Sequence, residues 1–453
     1  MKVAGRLSGR GGAGGGPTDR EKGGAERGLA PGVVADLDAV LASLHDEVVD
    51  RLDVASLRHL EPAQLRERVS QLVRQLLQSR HTVLSERQQD QITTSIVDEI
   101  TGLGPLEPLL ADPSVSDILV NTFAAVFVER GGNLERTNVR FRDNEHLIHT
   151  INRIVGRVGR RIDEASPMVD ARLPDGSRVN AIIPPLALDG PLLSIRRFGK
   201  HLVSVKELHQ HGSLTRNMAL YLKSAVRARC NILISGGTGA GKTTLLNALS
   251  GFIPSRERIV TIEDSAELKL QQEHVARLET RPPNIEGKGE IGIRELVRNA
   301  LRMRPDRIIV GEVRGAEVLD MVQAMNTGHE GSLATIHANA PSDVSTRLLS
   351  MFGFAATNIS EPMVLQMVAR AIHLVVQVSR MTDGRRRVTS ISEVAGIKNG
   401  EMALNEVFSY EQWGVDPNGR VQGDFACSGH SILAARFRAA GVPFDLEEGG
   451  PPR

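Results

Sequence analysis

The residues best suited to do chemistry lie in the stretch NILISGGTGAGKTTL, from Asn231 to Leu245. Gly236, Gly241, Lys242 and Thr243 fit the spacing G-x-x-x-x-G-K-[ST] of a phosphate-binding loop. Such a loop must turn backbone N–H groups toward phosphate oxygens, which excludes bulky side chains and favours Gly236, Gly237, Gly239 and Gly241. Thr238, Ala240 and Thr244 complete the segment that would cradle a nucleotide. Lys242 is spaced to reach the β- and γ-phosphates, and the Thr243 hydroxyl to ligate Mg²⁺. A helix N-terminus at the same place favours an anion. A glycine run can also be a plain turn. Here Ile232-Leu233-Ile234 reads as the strand before the loop and Thr244 to Leu249 as the helix after it, which favours ATP or a similar nucleotide.

Hydrolysis needs groups that place a water and sense the γ-phosphate. The segment RIVTIED, Arg258 to Asp264, is an apolar strand ending in two acids. Strand C-termini of a doubly wound sheet converge on the ligand crevice, so Glu263, Asp264 and Glu267 are expected near Mg²⁺ and water. A helix cap at Asp264 with Glu267 in its first turn is the alternative. The segment RIIVGE, Arg307 to Glu312, is a second buried strand, and packing explains its terminal acid poorly. Glu312 is therefore expected as general base or water-orienting group. Gly311 stands where the pattern usually has an Asp, which leaves Glu263 or Asp264 to support the metal. The segment TGHEGSLATIHAN, Thr327 to Asn339, holds a strand bracketed by His329 and His337. His329 is a candidate γ-phosphate sensor, with a buried core histidine as the alternative.

The elements that position these groups form an α/β chain. Residues 1–32 are a glycine-rich tail expected to be disordered. Over 33–100 the apolar period is helical, with Leu37, Val40, Leu41, Leu44 and Val48 on one face and Leu65, Val69, Leu72, Val73 and Leu76 on another. Ser85 and Gln88 form a capping box for a third helix. Residues 101–200 alternate short strands and a helix, a mixed α/β domain. A linker at 201–212 carries His201, His209 and His211, spaced unlike a metal site. The nucleotide domain is expected over 213–395, closing with a hairpin at Asp383-Gly384. Residues 396–453 are expected as a small appendage around Trp413.

Composition narrows the function. A net charge of +1 and 3% aromatic residues argue against a nucleic-acid groove with stacking platforms. Cys230 and Cys427 are too far apart for a zinc ribbon or a disulfide framework. The chain shows neither a membrane-length apolar run nor a signal-peptide h-region, so a cytoplasmic protein is expected, touching membrane only through partners.

Taken together, these stretches resemble the type II/IV secretion ATPase superfamily. GGTGAGKTT is similar to its Walker A, IVTIEDSAEL to its Asp box, RIIVGEVRG to its Walker B and TGHEGSLATIHAN to its His box, over roughly residues 100–425. A glycine before the Walker B Glu is typical there. GRRIDEASPMVDARLPDGSRVNAIIPPLALDGPLLSIRRF and LNEVFSYEQWGVDPNGRVQGDFACSG resemble the CpaF/TadA subgroup of tight-adherence (Flp) pili. SGHS at 428–431 departs from the Thr-Gly and later Pro of related chains. The resemblance implies a RecA-like P-loop core preceded by a smaller PAS-like α/β domain and a helical bundle. It implies Mg²⁺-dependent ATP hydrolysis by a homo-hexamer at the cytoplasmic face of the inner membrane, working on a membrane platform protein. Arg178 and Arg196 match arginines that reach the nucleotide from the N-terminal domain. Rival readings are a RecA-type nucleic-acid motor, a regulatory GTPase (for which no Asn-Lys-x-Asp stretch is present), and a conjugation, retraction or archaeal-type motor of the same superfamily.

Overall fold

The computed structural model describes residues 44, 47–48, 61–80, 82, 84–197, 203–283, 288–355, 359–442 and 444. The expected tail at 1–32, the helix face at Leu37, Val40 and Leu41, and His201 lie outside the described residues. The chain divides into two compact units, Met1–Pro105 and Leu106–Arg453.

In the first unit, helices Pro62–Ser79 and Glu86–Thr101 bury Leu65, Val69, Val73 and Leu76 with Ile92 and Ile96. The Ser85 hydroxyl accepts from the Gln88 amide while the Gln88 side chain accepts from the Ser85 amide, the expected capping box. Leu44 and Val48 belong to the same apolar cluster.

The second unit contains two sheets. The smaller is antiparallel with strand order β3-β2-β1-β6-β5-β4. Its strands are β1 (Val115–Thr122), β2 (Ala125–Arg130), β3 (Asn133–Arg136), β4 (Met168–Arg172), β5 (Arg178–Ile182) and β6 (Leu192–Arg196). Helix Asn144–Arg157 carries Leu147, Ile151, Ile154 and Val155 as its buried stripe. The tight turn after Leu173, with Gly176 at φ +93°, joins β4 to β5.

The larger sheet has nine strands in the order β15-β14-β13-β12-β7-β11-β10-β8-β9. They are β7 (Ile232–Gly236), β8 (Ile259–Glu263), β9 (Val275–Glu279), β10 (Arg307–Val313), β11 (Leu333–His337), β12 (Leu374–Arg380), β13 (Arg386–Lys398), β14 (Glu401–Val415) and β15 (Val421–Cys427). The six from β12 to β9 in sheet order pair in parallel. Every residue of β7 and β8 is buried, as parallel strands covered on both faces require. Helix Arg216–Arg227 packs on one face and Glu317–Asn326 on the other. This is an α/β fold with a RecA-like core and a smaller α/β layer before it.

Two boundaries differ from expectation. The segment expected as a linker holds a helix, Val205–Gln210, capped by Ser204. The stretch expected as an appendage after 395 is largely sheet: β13 runs past that point, and β14 and β15 continue the ladder. Buried Glu393 ties the following segment down. It accepts from the Tyr221 hydroxyl at 2.5 Å, the Asn405 amide at 2.8 Å and the Ile432 N–H at 2.8 Å. A buried carboxylate with this many donors replaces its lost hydration by hydrogen bonds.

Candidate functional site

The glycine loop leaves β7 at the centre of the sheet and enters helix Lys242–Ser250. Gly239 and Gly241 take φ of +70° and +100°, conformations that side chains oppose. A Cβ on Gly236 would stand 2.4 Å from the Val378 carbonyl oxygen. Lys242 folds back over the loop, its Nζ donating to the carbonyls of Gly236 at 3.0 Å and Gly237 at 3.1 Å. Burial lowers the pKa of its ammonium, and nearby Glu312 works against that.

The expected acids converge beside Lys242. Parallel register levels the ends of β8 and β10, so one cleft is lined by Thr243, Glu263, Asp264, Glu267 and Glu312 with Arg178 and Arg314. Glu312 Oε1 lies 3.8 Å from Lys242 Nζ. Its Oε2 accepts from Arg314 Nε at 2.9 Å and also from Arg314 Nη2, while Arg314 Nη1 reaches Asp264 Oδ2 at 3.4 Å.

Glu263 explains the missing Asp. Its side chain lies across Gly311, where a Cβ would come within 2.8 Å of Glu263 Cγ. Glu263 Oε1 accepts from the amides of Glu267 and Leu268 at 2.9 Å each, which orders the turn bearing the other acids. Glu263 Oε2 is buried with no hydrogen-bond partner. Burial, opposed by those two amide bonds, lifts the Glu263 carboxyl from its ordinary 4.5 to about 7. A bare buried carboxylate oxygen in the cleft that Thr243 also lines, next to the Lys242 glycine loop, fits a nucleotide with a divalent cation. Mg²⁺ prefers such oxygen ligands and takes its others from phosphates and water.

The smaller sheet supplies arginines. Arg172, Arg178 and Arg196 stand directly opposite one another on β4, β5 and β6. Like charges in that arrangement repel, so each has its own acid. Arg172 Nη1 bonds Glu279 at 2.6 Å, Arg178 Nη1 lies 3.9 Å from Glu267, and Arg196 Nε bonds Asp117 at 3.0 Å. Arg178 thus lines the cleft, whereas Arg196 is held one strand back by Asp117. Arg172 was not legible as a site residue. It also donates to the Ala266 carbonyl at 2.6 Å, inside the turn that Glu263 orders. Its signal was the turn LPDGS, which places Arg172 opposite Arg178.

His329 is a correction. It precedes β11 and bonds the Pro305 carbonyl at 3.0 Å, on the side where the Gly331 and Ser332 amides meet Asn231 just before β7. The glycine loop lies at the other end of β7, about 16 Å away at the usual strand rise. The histidine beside the loop is His337, in register with Gly236. Buried Gln377 holds this end in place. It bonds Ser235 at 2.5 Å and donates to the carbonyls of Ala338 at 3.3 Å and Asn339 at 3.0 Å.

The raised Glu263 pKa makes a stability prediction. Below about pH 4.5 the carboxyl is neutral in both folded and unfolded chains, so burial carries no ionic penalty. As pH rises through about 7 the folded group must ionise in its buried place, and stability is lost. Glu263→Gln keeps the Oε1 acceptor and removes the titration. Its stability relative to the parent should therefore rise between about pH 5 and pH 8, by at most about 3 kcal/mol. Denaturant midpoints of both proteins across that range check this, and a difference that stays flat would contradict it.

Residues 99–412 match the family model described as type II/IV secretion system protein. A putative conjugal transfer protein of Mycobacterium tuberculosis is 39% identical over 75% of this chain and 96% of its own. The conjugal transfer protein TrbB of Rhizobium radiobacter is 31% identical over 67% of this chain and 91% of its own. Among solved structures, the VirB11 ATPase of the Brucella suis type IV secretion system is 29% identical over 64% of this chain and 92% of that one, with a TM-score of 0.35. With the family model spanning well over half of the sequence, the chain belongs to the type II/IV secretion system protein family and is an ATPase of that family.

Proposed function

We propose that this protein hydrolyses ATP with Mg²⁺ as a homo-hexameric motor for pilus assembly or protein secretion, of the tight-adherence (Flp) type. The observation that carries the reading is the meeting of Lys242, Glu263 and Glu312 with Arg178, a residue from the other sheet. Lys242 exchanges the Gly236 and Gly237 carbonyls for the β- and γ-phosphates, and Thr243 with the free oxygen of Glu263 supports the metal. Bound Mg²⁺ supplies positive charge against the phosphate oxygens. Glu312 orients the attacking water and takes its proton, and Arg178 completes the cleft when the two sheets close.

CpaF/TadA-like stretches in the smaller sheet and in β14–β15 support the tight-adherence subgroup. The conjugal-transfer names of the mycobacterial and TrbB relatives favour a second reading, a conjugation motor on the same ATPase. Among the described residues no helix is long and apolar enough to cross a membrane. The family resemblance supports a motor acting on the cytoplasmic face, through a platform protein in the inner membrane.

Lys242→Ala tests the nucleotide site. It removes the one cation inside the loop, so ATP affinity and turnover should both collapse. Tight binding with normal hydrolysis in this variant would reduce the glycine loop to a turn. Assembly is tested separately by native mass measurement with a non-hydrolysable ATP analogue. A hexamer is expected, and a fully active monomer at micromolar concentration would remove the ring.

A further inference from the structure

The phosphate loop is also gripped from outside, by the β12–β13 hairpin. Arg386, the first residue of β13, donates from Nε to the Gly239 carbonyl at 3.0 Å. Its methylene stem lies over Gly241, where a Cβ would stand 3.1 Å from Arg386 Cδ. Arg380, at the end of β12, has a guanidinium nitrogen 3.8 Å from where a Cβ on Gly239 would sit. It donates to the Gly132 carbonyl of the smaller sheet at 2.5 Å. These arginines lie on the β12 side of the loop, across from the Glu263 and Glu312 strands.

We propose that Arg386 is a positioning residue for nucleotide binding, holding the Gly239 carbonyl outward so that the next amide points into the cradle. Carbonyl and N–H of a trans peptide point in opposite directions. With the Gly239 oxygen pinned outside, the Ala240 N–H must face inward. It does so here, meeting the Gly237 carbonyl across the loop at 3.3 Å. That carbonyl also accepts from Lys242, so both inward donors rest on an acceptor that an incoming phosphate can replace. Without Arg386 the Gly239–Ala240 peptide is free to rotate, because glycine at φ +70° has no steric preference to hold it. The exposed guanidinium adds positive charge at the mouth of an anion site.

The inference rests on the nucleotide-site reading and concerns affinity, not the chemical step. The test uses the full chain, with equilibrium binding of a fluorescent ATP analogue and steady-state hydrolysis. Arg386→Ala should raise Kd and KM by about tenfold, the scale of one charge-assisted hydrogen bond, and leave kcat within about twofold. Arg386→Lys, which keeps the charge and stem but not the planar Nε–H, should recover part of the loss. Arg386 is exposed, so the nucleotide-free melting temperature should not change. An unchanged Kd, a fall in kcat at constant KM, or a lowered nucleotide-free melting temperature would each overturn the proposal. Lys242→Ala in the same assay separates the two readings: if it binds nucleotide normally, the site itself has been misread, whatever Arg386 does.

Discussion

Glu263 reaches the cleft only because Gly311 has no side chain. The two residues sit at the ends of neighbouring parallel strands, and a Cβ on Gly311 would come within 2.8 Å of the Glu263 side chain. The turn beside it follows from that contact. Glu263 lies flat across β10, accepts the amides of Glu267 and Leu268, and so shapes the turn holding Asp264 and Glu267. Glu312, the next residue on β10, lies 3.8 Å from Lys242 Nζ. An Asp at position 311 would put a second carboxylate into space Glu263 already fills, in a place where burial already disfavours one.

The second dependence is between the two sheets of the Leu106–Arg453 unit. The arginines on β4, β5 and β6 would repel if they faced only one another. Glu279 on β9, Glu267 in the turn after β8 and Asp117 on β1 pair with them. Arg172 and Arg178 therefore tie the smaller sheet to the turn that carries the acids. On the other side of the loop Arg380 makes a comparable link to Gly132. Such exposed or half-exposed pairs contribute little stability individually, which suits the sheet closure proposed above.

Much of this was readable in the sequence, for reasons that differ by element. β7, β8 and β10 are short, β-branched apolar runs bounded by glycine or acid, and their length and flanks mark them as buried parallel strands. Arg178 was legible only through family resemblance. His329 was misplaced because both ends of β11 carry a histidine, and only strand direction decides which one meets the loop. Direction became visible once β11 was paired in parallel with β7. Arg172 and Arg386 escaped because their partners lie 94 and 147 residues away, a separation that local spacing cannot bridge. β14 and β15 escaped for another reason. As outer strands they are only partly buried, so their polar residues imitate a loop. Gly311 was legible as a departure from pattern, but not that Glu263 fills the space.

The division of labour we propose, in which the loop binds and Glu312 acts on water, is tested most directly by Glu312→Gln. The substitution keeps the length of the side chain and its place between Lys242 and Arg314, and removes its charge. ATP affinity should stay within several-fold, because the loop amides and Lys242 are untouched. Hydrolysis should fall by about 10²-fold or more, the scale of losing a general base. Binding and single-turnover hydrolysis measured on the same preparation would show that split. A Gln variant that hydrolyses ATP at nearly the parent rate would make Glu312 a packing residue and move the search for the base to Glu267.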